Sequence, residues 1–276
     1  RLSAVLRLPL HRLCPGPRSP LGSHQAMAVS LGPKPLVAVG QVTSTPDKEQ
    51  NFSGCAALVR AAARQGACLV FLPEGFDYIG RDSAQTLSLA ESLDGELMAR
   101  YSVLARDCGV WLSLGGFHER RADWPSTQRI YNCHVLLDPT AAYRKTHLCD
   151  VELEGRVTMK ESSFTNPGMV LVAHPFPILT PSHVLCLLHL SHRLCTLGGE
   201  SAQTGRNHEG RMSYGHTLVA DPWGTVVAQC SEGPGLCYAE IDLEYLHRVR
   251  REIPVQSHRR ADLYGTVGLQ AALSAP

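Results

Sequence analysis

Three apolar runs set at intervals, each followed or preceded by a helical pattern, constrain this chain more than any other feature. The first, "PLVAVGQV" at Pro35–Val42, is a valine-rich run of β type. Thr45, Pro46 and Asp47 then open a helix whose apolar positions Phe52, Ala56, Val59 and Ala63 follow the helical period, and the helix ends near Gly66. "ACLVFLPE" follows as a continuous apolar strand, and a second helix over Gly95–Cys108 leads into "VWLSLGGFHE". Strand, helix, strand, helix, strand, with strands apolar along their whole length, predicts an α/β protein whose sheet is covered on both faces.

From Ile130 the pattern changes to hairpins. "IYNCHVLLD" turns at Pro139-Thr140 into "AAYRKTHL", and "SYGHTLVADPWGTVVAQ" at Ser213–Gln229 carries Asp221-Pro222-Trp223-Gly224 as its turn. The chain's 276 residues, 44% of them hydrophobic, suffice for one large domain, and a net charge of +1 offers no general attraction to nucleic acid or to an anionic membrane. The ten cysteines are scattered through apolar runs, a pattern that predicts free thiols rather than a disulfide framework. Before Asp47, the first acidic residue, stand Arg1, Arg7, Arg12, Arg18 and Lys34 among serines, prolines and leucines. Residues 1–34 are therefore expected to be a mitochondrial transit peptide or a disordered tail, with residues 35–268 as the domain and 269–276 as a tail.

The candidate chemistry sits at strand ends. Glu74 closes an apolar strand at "FLPEGF", where its carboxylate lies at the lip of a buried sheet and can serve as a general base. Lys145 in "YRKTHL" shares a face with Tyr143 and His147 by period two, and a buried ammonium there needs a carboxylate partner. Glu152, seven residues on, is the candidate for that partner.

"FLPE", "YRKTHL" with "VELEG", "SYGHTLVADPWGTV" and "HRRADLYG" occur in an order that resembles the nitrilase, or carbon–nitrogen hydrolase, superfamily, in its amidase branch. That resemblance spans about Pro35–Gly168 and Ala202–Gly265. It implies a four-layer α-β-β-α sandwich of the nitrilase type, an assembly of two or more copies, and a Glu–Lys–Cys site that hydrolyses a small amide, such as that of deaminated glutathione, through a thioester. Its partners would be the amide substrate and water, with no cofactor, metal, nucleic acid or membrane, and its location mitochondrial and cytoplasmic. By the same resemblance Glu74 matches the general base, Lys145 the oxyanion-stabilising or proton-donating lysine, and Glu152 the supporting glutamate.

The family's nucleophile elbow, a strand ending in Cys followed by Tyr-Asp, has no counterpart in the sequence. Met169–Ser201 fits neither flank, and the fold is expected to be incomplete there. Within it, Cys186, His189, His192 and Cys195 stand three apart; on a helix each step turns by about 60°, and on a strand successive members change face, so neither arrangement turns all four toward one metal ion. Cys186 lies 41 residues after Lys145 and is the one candidate for a displaced nucleophile. Only 17 residues separate it from Gln203, where an elbow, helix, strand and loop need on the order of 50.

Overall fold

The computed structural model describes residues 34–137, 141–153, 157–169, 172–173 and 198–254, with residues 258, 260, 262, 270 and 271. The three apolar runs become β1 (Leu36–Gln41), β2 (Leu69–Leu72) and β3 (Trp111–Glu119), hydrogen-bonded in parallel. Antiparallel strands β4 (Tyr131–Leu137) and β5 (Ala141–Arg144) extend this sheet at one edge, and β14 (Gly235–Glu240) pairs with β1 at the other. The order across the six strands is β14-β1-β2-β3-β4-β5.

Both faces of this sheet are covered, which explains why its strands are apolar throughout. Ala38, Val70, Leu72, Leu112 and Leu114 meet helices α1 (Lys48–Arg64) and α3 (Glu96–Cys108) through Ala56, Val59, Leu97, Tyr101 and Leu104. The alternate residues Val37, Val39, Leu69, Trp111 and Leu136 cluster instead with Val219, Cys230 and Ala228. These come from a second, three-stranded sheet of β9 (Gly198–Glu200), β12 (Leu218–Ala220) and β13 (Val226–Gln229) and from the residue just beyond it.

Helix ends follow the expected signals. Asp47 caps α1 by accepting from the backbone N–H groups of Glu49 and Gln50, and Gly95 and Gly109 bound α3. The turn of the β12–β13 hairpin is built as predicted: Asp221 accepts from the N–H groups of Trp223 and Thr225, and Gly224 takes the left-handed conformation.

Helices, the six-stranded sheet and the second sheet form three successive layers, and a further helix over Leu243–Glu252 follows β14, with Leu243 packed against the cluster between the two sheets and Leu246 and Val249 buried. Shorter pairs complete the picture: β6 (Asp150–Leu153) with β7 (Val157–Lys160), β10 (Thr204–His208) with β11 (Arg211–Tyr214), and β8 (Val172–Ala173) with β15 (Gln270–Ala271). The tail at 1–33, the turn at Pro139-Thr140 and the segment holding Cys186, His189, His192 and Cys195 lie outside the described residues.

Candidate active site

The parallel strands β1, β2 and β3 end at a common edge, the place where α/β sheets carry their sites. Glu74 stands there, two residues beyond β2. A bulge in β3 lets the chain approach it closely: Gly116 has φ of 63°, and a Cβ at this position would come within 2.8 Å of the Glu74 Cα. Gly75 donates its N–H to the Gly116 carbonyl at 3.0 Å, tying the Glu74 turn to that bulge. From the other side, the Gln203 amide donates to the carbonyls of Glu74 at 3.1 Å and Gly75 at 3.2 Å, and to the Ser44 hydroxyl at 2.9 Å. The backbone of Glu74 is thereby fixed, while its side chain remains 47% exposed.

Lys145 directly follows β5, and its N–H donates to the Asn132 carbonyl at 2.8 Å, one step past the β4–β5 ladder. It is not an interior strand residue, so the period-two grouping with Tyr143 and His147 stops at Arg144. Its ammonium lies 3.6 Å from Glu74 Oε2 and donates to Glu161 Oε2 at 3.0 Å. Burial alone would lower the Lys145 pKa, but the charges of Glu74 and Glu161 and the hydrogen bond to Glu161 outweigh it and raise the value.

The partner of Lys145 is therefore Glu161, not Glu152. Glu152 is exposed on the β6–β7 pair, opposite Thr158, whereas Glu161 is 8% exposed in a single 3-10 turn, Glu161–Ser163, immediately after β7. The hairpin accounts for the difference: it carries Glu152 away on its first strand and returns the chain to the lysine at the end of its second. Glu161 Oε2 also accepts from the Cys149 N–H at 2.6 Å, and Oε1 accepts from the Asn132 side-chain amide at 3.0 Å. That same amide donates to Glu74 Oε1 at 3.0 Å.

Sequence reasoning missed Glu161, Asn132 and Gln203. One signal was available for Glu161, since like Glu74 it closes a strand. The other two act through amides whose partners lie far away in sequence, with nothing local to mark them.

The whole arrangement is two carboxylates at an ammonium held protonated. One Lys145 proton goes to Glu161, and another is free to meet a developing oxyanion. Among the described residues no group of three or more His, Cys, Asp or Glu side chains forms a metal-binding set.

The carbon–nitrogen hydrolase family model matches residues 36–184 and 199–251. The chain belongs to the carbon–nitrogen hydrolase family. Human deaminated glutathione amidase is 50% identical over 319 positions, covering 94% of this chain and 97% of that protein. The mouse protein of the same name is 48% identical and covers 96% of this chain and 93% of its own length. Among solved structures, the NitFhit protein of Caenorhabditis elegans superposes with a TM-score of 0.74 at 35% identity, covering 87% of this chain and 68% of that one. A carbon–nitrogen hydrolase of Helicobacter pylori, at 18% identity and a TM-score of 0.65, shares the fold. These relationships identify the chain as a hydrolase of the amidase type with a nitrilase α/β fold.

The break in the family match, between 184 and 199, is narrower than the Met169–Ser201 segment expected from the sequence. Over the whole alignment with the human protein, 94% of the 276 residues is about 259, so about 60 of the 319 positions are filled by that protein alone. The described cysteines differ sharply in character. Burial pushes the Cys55 and Cys237 thiols up to about 12 and the buried Cys133 higher still, which makes them inert. Cys149 is half-buried and touches the site through its backbone N–H.

Proposed function

We propose that this site hydrolyses the amide of a small deaminated peptide such as deaminated glutathione, the compound named in the relatives at 48–50% identity. The observation that carries the reading is the Lys145 ammonium set between Glu74 and Glu161 at 3.6 and 3.0 Å. In the reaction Glu74 takes the proton of a cysteine thiol, and the sulfur attacks the amide carbon while Lys145 receives the oxyanion. The carbon–nitrogen bond then breaks, and the amine leaves with the proton held on Glu74. Water gives a proton to Glu74 and attacks the thioester, releasing the acid and restoring the thiol.

Glu74 is exposed enough to reach both thiol and water, whereas Glu161 is buried and engaged on both oxygens, so the base is Glu74 and Glu161 is the brace. An assembly of several copies, and a mitochondrial as well as a cytoplasmic pool set by residues 1–34, belong to the same reading. Mass-spectrometric measurement of deaminated glutathione cleavage tests it: wild type should turn the compound over and Lys145→Met should not. Equal rates for the two would reject the site.

A second reading is favoured by the missing elbow and by the roughly 60 positions that the human relative fills alone. In it the chain keeps the charged cluster without a competent nucleophile and associates with intact subunits. Co-purification with an intact family member, with no turnover by the chain alone, would support that reading.

A further inference from the structure

We infer that Asn132 is a positioning residue for the Glu74–Lys145–Glu161 cluster, holding the Oε1 atom of each carboxylate so that each Oε2 is presented to the lysine. This rests on the reading of Glu74 as the base but makes a separate claim about what orients it.

The geometry is unusually complete for one side chain. An asparagine amide has two N–H donors. Here one goes to Glu74 Oε1 and the other to Glu161 Oε1, both at 3.0 Å. Because both partners are acceptors, the amide can face them only with its NH2 group. Its own carbonyl oxygen on the backbone accepts from Lys145 N at 2.8 Å, so the root of the lysine and the orientation of both its partners come from one residue.

The two carboxylates depend on Asn132 unequally. Glu161 is held in addition by the Cys149 N–H and by Lys145. Among the described residues Asn132 is the only hydrogen-bond donor to the Glu74 carboxylate, which is half exposed and has water as an alternative. Loss of the amide should therefore release Glu74 selectively: the carboxylate turns to solvent, and Lys145 loses one of the two charges facing it.

The test follows the Lys145 ammonium by NMR titration in the full chain, in wild type, Asn132→Leu, Glu74→Gln and the double variant. Removing a charge that raises the lysine pKa lowers it, so Asn132→Leu should lower the midpoint by an amount comparable to Glu74→Gln, and the double variant should go no lower than Glu74→Gln. A wild-type midpoint in Asn132→Leu, or full additivity in the double variant, overturns the proposal. Should Asn132→Leu fail to fold, Asn132→Ser, whose hydroxyl is too short to bridge the carboxylates, takes its place. Deaminated glutathione cleavage is measured on the same samples. Absence of cleavage with the lysine shifts intact rejects the amidase reading and leaves the role of Asn132 standing.

Discussion

Replacing Glu161 with alanine should damage the protein far more than the same change at Glu152. Glu161 is 8% exposed and accepts three hydrogen bonds, one of them from a Lys145 side chain that is itself 17% exposed. Removing one partner of a buried pair costs about 3–5 kcal/mol where the other charge is left alone, and because Glu74 still faces Lys145 at 3.6 Å the loss here should fall at the lower end, about 3 kcal/mol. Glu161→Gln keeps the shape and an acceptor oxygen and should cost about 1–3 kcal/mol. Glu152→Ala, on an exposed strand position, should stay within about 0.5 kcal/mol. With about 2–4 °C of melting temperature per kcal/mol in a domain of this size, Glu161→Ala should melt on the order of 10 °C lower. The assay is urea unfolding followed by tryptophan emission, to which Trp111 contributes as a buried reporter, at low protein concentration, with thermal melts in parallel. The pH dependence has a definite sign. The Lys145 pKa is raised by folding, so its contribution is complete below the unfolded value and is lost as pH rises through the folded one. Glu161→Ala should weaken that alkaline loss. Wild-type unfolding by Glu161→Ala, or a larger effect at Glu152, would refute the assignment of the brace.

Three further outcomes are expected. Burial lowers the His134 pKa to about 4, so stability should fall as pH drops from about 6.5 through 4, and His134→Gln should flatten that part of the stability–pH curve. Gly116→Ala, which forces a left-handed residue against the Glu74 backbone, should cost about 1–3 kcal/mol, while Gln203→Met should chiefly raise hydrogen exchange in the Glu74–Ile79 turn. Met212, Tyr214, Trp223, Val226 and Val227 are exposed along 212–227, so the chain should bind a hydrophobic dye and self-associate with rising concentration; a monodisperse, dye-negative monomer would contradict this.

The α/β half of the fold was legible because its signals are local. Asp47 as a cap, the Gly95 start of α3, and apolar runs long enough to need two covered faces all act within a few residues of themselves. Glu74 is legible as a strand-end residue and by resemblance, and Lys145 by resemblance, since the period-two pattern sets it inside a strand that ends at Arg144. Glu152 is the supporting glutamate by nearness in sequence to Lys145 and by resemblance, but a hairpin stands between nearness along the chain and nearness in space, and Glu161 at its far end is the residue that returns. Asn132 lies on β4 between the buried Ile130 and Cys133, an ordinary strand position until the register with β5 brings the lysine beside it. Gln203 is separated from Glu74 by more than a hundred residues, and only the sheet edge unites them.

The most direct test of an amidase at Glu74 and Lys145 is acyl trapping. The purified chain is mixed with deaminated glutathione, quenched in acid, digested and mapped for the acyl mass on each cysteine peptide, with Cys149, Cys186 and Cys195 distinguished. One cysteine should carry the acyl group in wild type and none in Lys145→Met. An unmodified set of cysteines in wild type, with the cluster shown intact by the Lys145 titration, would contradict catalysis by this chain and favour the subunit-associating reading.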